Sequence, residues 1–434
     1  MRWRATFRIE EHEIGAVLWS LGYAFCLLCS YYILRPVRDE MGILGGVEQL
    51  QWLFTGTFVT MLLAVPLFGA ATRRFPRHRL LPVVYLFFIA NLLIFYVLFN
   101  SDIATRHVAR TFFVWLSVFN LFAVSVFWSF MADLFSNAQA RRLFGLIAAG
   151  GSAGAVLGPA LTAVLVKLLG PVNLLLVSAA FLLGAMTCIR RLLRWGDAAV
   201  ALGAKGRVGP RTTRATADAP LGGGVLAGLG LLFRSPYLLG IALYILLYTW
   251  LATFLYFEQA HIVRAAFADS ATRTQVFAAM DLAVNALTIL MQLFVTARLV
   301  ERLGLPVTLV LVPTLMLLGF AALGAAPVLG VLVGFQVLRR AGNYAVAKPA
   351  REILFTVVSR EEKYKAINVI DTLVYRGGDA ASGWLFAGLS GLGLSLSALA
   401  FVAVPVALVL ALTALWLGYR QEALRNLPTV QPPR

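Results

Sequence analysis

Charge is what this 434-residue chain has least of: Lys, Arg, Asp and Glu together make up 13% of it. A soluble domain carries about a quarter charged residues, so a soluble globular protein of this length is excluded. The three cysteines (Cys26, Cys29, Cys188) all lie inside apolar runs, with neither metal-ligand spacing nor the makings of a disulfide framework. None of the four histidines (His12, His78, His107, His261) falls at the centre of a run. There is no Walker loop, no H-E-x-x-H and no paired-aspartate motif, which argues against an ATP-driven pump or a membrane enzyme. "GGSAG" at 150–154 matches the nucleophile-elbow pattern G-x-S-x-G. That chemistry needs a strand–turn–helix and a histidine, and here the serine sits in a glycine-rich apolar run, so small-residue packing is expected. No cofactor and no metal are expected.

What the chain has in abundance is apolar sequence, at 60% of its residues. Runs near the ~20 residues that cross a bilayer fall at 13–34, 48–70, 80–99, 110–133, 143–168 and 171–189. Six more follow at 236–257, 274–297, 305–323, 327–355, 366–386 and 392–416. The opening "MRWRATFRIEEHE" leads into a run too long for a signal peptide and without a small-residue cleavage site, so an uncleaved first span is expected. The net charge of +17 does not point to nucleic acid, because the basic residues bunch in the short stretches between runs ("TRRFPRHR", "QARR", "RLVERLG", "SREEKYK"). Such bunching is a topology signal, and the positive-inside rule places both termini in the cytoplasm.

The Gly-, Ala-, Thr- and Arg-rich stretch 194–224 has no apolar period and reads as a flexible linker. Behind it, "VLAGLGLLFRSP" suits a short interfacial helix. The expected domains are therefore 1–193, a six-helix bundle; 194–224, a cytoplasmic linker; and 225–434, a second six-helix bundle. The halves echo each other: "LFS…RRLFGLIAAGGSAGA" from Leu134 pairs with "LFT…KYKAINVIDTLVYRGGDAA" from Leu354, each an inner loop followed by a Gly-Gly helix. Six plus six spans related by a parallel repeat resembles the major facilitator superfamily. Two of its motifs are present in degraded form. Between spans two and three Gly69, Arg74 and Arg77 match, while Arg73 and Pro76 depart; Glu301, Arg302 and Gly304 form the second-half counterpart. Span five carries Gly145, Gly154, Gly158 and Pro159 at the spacing of the antiporter motif, where glycines permit close helix approach. The fold class expected is thus an all-α integral membrane protein of twelve transmembrane helices.

Charges within the spans are distributed unevenly. Spans three, six, nine and twelve, peripheral in this fold, hold none between their ends. Span ten holds Arg339, Arg340, Lys348, Arg351 and Glu352. Span eleven holds Asp371, Arg376 and Asp379, span eight Asp281 with Asn285, and span one ends in Arg35, Arg38 and Asp39. A charge at the bilayer centre costs about 2.5–3.5 kcal/mol on insertion scales, so such residues imply a cavity. Arg340, Tyr344 and Lys348 recur at i, i+4, i+8, as do Asp371, Tyr375 and Asp379, which on a regular helix stacks each set along one side. Bases outnumber acids in this set, and Arg matches phosphate or carboxylate bidentately. A small anionic substrate is therefore expected to meet Arg35, Arg38, Asp281, Asn285, Arg339, Arg340, Asn343, Lys348, Asp371, Tyr375, Arg376 and Asp379. The alternative is structural ion pairing, for example of Arg376 with Asp371 or Asp379. Asp133, Arg351 and Glu352 are expected to form an inner gate.

The stretches "SYYILRPVRDEMG", "VFWSFMADLF" and "KPAREILFTVVSREEKYKAINVIDTLVYRGGDA" resemble bacterial relatives of the ATP/ADP (nucleoside tri-/diphosphate) antiporter family. The resemblance runs from span one through span eleven. It implies exchange of nucleotides, with phosphate as a further exchange partner, by alternating access; a monomer in the bacterial inner membrane, with the lipid bilayer as its other partner, is expected. The family's lysine–aspartate pair after "Y-x-I-L-R" is Arg38–Asp39 here, and Asp281 is the candidate for its acid in span eight. Proton-coupled export of another organic anion and a lipid-handling or sensing role are the alternatives.

Overall fold

The computed structural model describes residues 10–74, 77–101, 103–201 and 225–426. Both extreme termini, most of the expected linker and residues 75–76 of the loop motif lie outside them, and with them the expected siding of the termini. The described residues are helical apart from short connections, with no strand among them. Six long helices come first: α1 (Ile14–Leu44), α2 (Leu50–Arg74), α3 (Arg77–Asn100), α4 (Thr105–Leu134), α5 (Asn137–Leu169) and α6 (Leu174–Ala201). The short α7 (Val225–Arg234) precedes α8 (Pro236–Ala266), α9 (Ser270–Phe294) and α10 (Thr296–Ala325). Then come α11 (Leu329–Gly342), α12 (Lys348–Leu354), α13 (Arg360–Val369), α14 (Tyr375–Gly391) and α15 (Leu396–Arg425).

Ten helices among the described residues are long and apolar enough to cross a membrane. The remaining two expected spans are there in interrupted form. A π turn, Asn343–Ala347, joins α11 to α12, and a second, Ile370–Val374, joins α13 to α14. The first has a cause in the sequence. Pro349 has no N–H, and its ring crowds the carbonyl four residues back in a regular helix, which is that of Ala345. The ladder widens instead, with the Lys348 N–H reaching the Asn343 carbonyl. Thr296 Oγ1 donates to the Ala345 oxygen at 2.8 Å, and Gln292 Nε2 to that of Tyr344 at 3.5 Å. Backbone acceptors that lack a helical partner are thus supplied from side chains.

Several helices run past the limits read from hydropathy, because polar residues that end an apolar run do not end a helix whose backbone bonds continue. α1 extends ten residues beyond Leu34, which places Arg35, Arg38 and Asp39 on a continuous helix. α8 extends beyond Phe257 to Ala266, taking in Glu258, Gln259 and His261. α6 continues to Ala201, so the start of the expected linker is helical. The two repeat-related helices α5 and α13 start alike: Ser136 and Ser359 each cap the helix, with Gln139 and Glu362 completing a capping box.

By contact the chain forms two compact units. The first comprises Met1–Gln49, Thr55–Ala219 and Phe267–Asn285. Its core includes Tyr23, Phe112, Phe119 and Phe127, and its tightest seam joins α1 to α5. A Cβ at Gly150, Gly154 or Gly158 would lie 2.5, 2.4 or 2.8 Å from the carbonyl oxygens of Leu21, Phe25 and Cys29 respectively. Only residues without a side chain allow that approach. Gly145, expected in the same role, faces open space. The second unit comprises Leu50–Phe54, Pro220–Ala266 and Ala286–Arg434, with Phe254, Phe257, Phe320 and Phe386 fully buried. Large apolar side chains stay exposed along α3 (Val83, Phe87, Val97) and α15 (Phe401, Leu408, Leu412), a surface that suits hydrocarbon rather than water.

Candidate functional site

In the first unit the charged end of α1 is engaged by its neighbours. Arg35 Nε lies 3.5 Å from Asp281, which α9 buries almost completely. Arg38 stacks its guanidinium over the Phe113 ring, 3.8 Å from the centroid, and stands 3.3 Å from Asp39. Asn285, one turn beyond Asp281, is buried and donates to the Ala155 carbonyl of α5 at 2.6 Å. Two residues outside the expected set complete this face. Glu40 is fully buried, and Arg273 grips it with Nε and Nη2 at 2.8 and 2.7 Å. At the other end of α1, buried Glu13 accepts from Gln139 at 2.8 Å and from Arg142 at 2.9 Å. Asp133, expected as a gate, is half-buried near the end of α4.

The second unit holds the rest of the expected set. Arg339 and Arg340 are both buried on α11. Arg339 is held in a chain of neutral groups. Its Nε and Nη2 donate to Gln336 Oε1 at 3.1 and 2.8 Å, and its Nη1 to the Tyr248 hydroxyl at 3.0 Å. Gln336 in turn donates to Gln259 Oε1 at 2.6 Å. No carboxylate among the described residues pairs with Arg339. A buried guanidinium bonded only to an amide and a phenol keeps its positive charge uncompensated, and a charge-assisted bond to an anion is the interaction it lacks.

The "YRGGD" segment packs against α8. A Cβ on Gly378 would meet Leu246 Cδ1 at 2.9 Å, so the glycine sets the spacing. That approach lets Thr253 Oγ1 donate to Asp379 at 2.8 Å. Arg376 lies over its neighbour Tyr375, 5.5 Å from the centroid, and 3.9 Å from Asp379, at the long limit of an ion pair. It is a third exposed on its side chain. Asp371 and Lys348 are exposed, as is Glu352, while Asn343, Tyr344 and Arg351 are half-buried. The expected stripes Arg340–Tyr344–Lys348 and Asp371–Tyr375–Asp379 each run through a π turn. There the i+4 spacing no longer returns to one face, and each stripe passes from buried or half-buried to exposed.

Sequence reasoning missed Glu40, Arg273, Glu258 and the neutral donors Gln259, Gln336, Tyr248 and Thr253. Glu258 is fully buried, with neither carboxylate oxygen hydrogen-bonded. Its signal was an acid one residue past a long apolar run.

The profile of the Major Facilitator Superfamily matches residues 21–280, more than half of the chain. No curated protein matches significantly. Among solved structures, a point mutant of the nucleoside transporter NupG superposes with a TM-score of 0.65 at 13% identity, covering 94% of this chain and 99% of that one. A bacterial homologue of the iron transporter ferroportin, inward-facing, gives 0.66 at 14%, covering 94% and 98%. An autoinhibited peptide transporter of the POT family gives 0.62 at 17%, covering 96% and 99%. At such identities the likeness is one of fold.

Proposed function

The chain belongs to the Major Facilitator Superfamily, and from that premise we propose that it is a secondary transporter of a small phosphate-bearing anion, most specifically a nucleotide exchanged in the ATP/ADP manner. Membership of that family makes the chain a membrane transporter and not an enzyme. The observation that carries the finer reading is Arg339, a buried guanidinium whose partners are an amide oxygen and a phenol. Arg340 beside it and Arg376 on α14 add to the basic character of this unit, and Arg35 and Arg38 to that of the other. Phosphate oxygens would take the free charge, and the Gln259–Gln336 relay would hold the fork in place. The resemblance of the "VYRGGD" segment and "SYYILRPVRDEMG" to the ATP/ADP antiporter family supports a nucleotide over other organic phosphates. In this reading the six-plus-six division, with the part of 194–224 beyond the helix end at Ala201 as a cytoplasmic linker and both termini on the cytoplasmic side of the bacterial inner membrane, serves alternating access by a monomer. Asp133, Arg351 and Glu352 act as gating residues.

The test is uptake of labelled ATP, ADP and inorganic phosphate by proteoliposomes, preloaded and empty. Exchange that requires internal nucleotide and falls at least tenfold in Arg339→Gln supports the reading. Transport of none of the three ends it, and binding of phospholipid alone would favour the lipid-handling role.

A further inference from the structure

We propose that Glu258 is a proton-binding site, and that the proton it takes up and releases is the coupling ion of transport. The proposal rests on the transporter reading above and adds to it an ion and a residue. Glu258 is 0% exposed, and both its carboxyl oxygens are inaccessible and without a hydrogen-bond partner. An ionised carboxylate there would give up its hydration and receive no donor in return. In this conformation the group therefore holds its proton.

Among the described residues no group hydrogen-bonds its carboxyl. On its own helix His261 directs Nδ1 to the Phe257 carbonyl and lies against Phe386, and Arg264 is exposed two turns on. On α14, Asp379 is engaged by Thr253 and Arg376. On α11, Arg339 is held by Gln336 and Tyr248, with Arg340 buried next to it, and the Leu50–Phe54 start of α2, which meets Phe257 through Phe54, carries no charge. Asp371 in the π turn is exposed, α15 carries no charge before Arg420, and the only charge on α7 is Arg234.

The link to transport is conformational. A carboxyl shut off from water keeps its proton, and the same carboxyl in a conformation that admits water to α8 loses it. Two conformations with different proton affinity are coupled to the proton by linkage, in both directions. Glu258 is also next in sequence to Gln259, which begins the relay to Arg339 through Gln336. Protonation and the seating of the anion-binding arginine thus fall on the same turn of α8.

Infrared difference spectroscopy on the purified full chain tests the site without reference to substrate. At neutral pH the wild type should show the carbonyl stretch of a protonated carboxylic acid. That band should be lost in Glu258→Gln and shifted in Glu258→Asp, a second variant should the first not fold. In proteoliposomes, labelled ATP uptake by the wild type should change several-fold when a pH difference is imposed, and the ratio should fall to one in Glu258→Gln. A band that survives both substitutions overturns the proposal, as does a gradient response that Glu258→Gln retains or the wild type lacks. If the wild type carries neither ATP, ADP nor inorganic phosphate, the anion reading fails, and the infrared band still decides whether Glu258 holds a proton.

Discussion

Arg273 holds Glu40 through both carboxylate oxygens, at 2.7 and 2.8 Å, and the same guanidinium donates Nη1 to the carbonyls of Phe267 and Ala268. One side chain thus ties the end of α1 to the loop that leads into α9. Breaking a buried pair by removing one partner costs about 3–5 kcal/mol, because the other charge is stranded. Arg273→Ala is expected to lower the melting temperature in detergent sharply. The double variant Glu40→Gln, Arg273→Met should recover much of the loss, since it leaves no buried charge.

Arg376 and Asp379 form a different kind of pair. At 3.9 Å, with Asp379 already engaged by Thr253, the arginine is available to an anion. Arg376→Gln should weaken nucleotide binding by about 1.5–3 kcal/mol, the scale of a charged hydrogen bond, in a protein that still inserts. Arg376→Lys should restore only part, because the bidentate fork is lost. If the pair were structural, the single variant would fail to fold and Arg376→Gln with Asp379→Asn would recover. Expression, melting temperature and binding of all three decide.

The α1–α5 seam yields a prediction with an internal control. A methyl at Gly154 would sit 2.4 Å from the Phe25 carbonyl oxygen, where backbone must move. Overpacking of this kind costs about 1–3 kcal/mol. Gly154→Ala should therefore destabilise, whereas Gly145→Ala, which meets open space, should not. Thermal melts of the two side by side check this.

Asp269, exposed in the loop before α9, caps that helix by accepting from the Thr272 N–H at 2.7 Å. The bonds from Thr272 hold its carboxyl below the usual aspartate value. A lowered folded-state pKa means that its contribution is present above the ordinary aspartate range and is lost as pH falls through the depressed value. The melting-temperature deficit of Asp269→Ala should be fullest near neutrality and shrink in acid.

The fold was legible because bilayer crossing leaves a coarse signal: ten apolar runs became long helices, α10 among them with a break at Gly304, and the repeat announced itself in "LFS" and "LFT". The site was legible only in its charges. Arg339 stands out in an apolar run, but Gln259 and Gln336, which orient it, are neutral and look like any polar residue on a helix. Glu258 was lost to a boundary, since hydropathy ends the run at Phe257 and the helix does not. Gly145 fitted a motif spacing, while Gly150, one of the glycines that meets α1, did not belong to that motif. Contact distance is a property of two chain segments, and spacing within one cannot report it. The stripes on spans ten and eleven failed for a related reason: a periodicity argument assumes an unbroken ladder, and each stripe crosses a π turn.

Those π turns also change what the two spans can do mechanically. A regular helix resists twisting about its own axis, since every carbonyl along it is bonded to an amide four residues on. At Asn343–Ala347 that ladder is already interrupted, and Thr296 and Gln292 tend carbonyls within the gap. α12 is therefore joined to α11 through a turn held by the Lys348 N–H on the Asn343 carbonyl and by two side chains from neighbouring helices, in place of a complete α-helical ladder. The span is thus two helical rods on one joint, with Arg339 and Arg340 on the first and Lys348, Arg351 and Glu352 on the second.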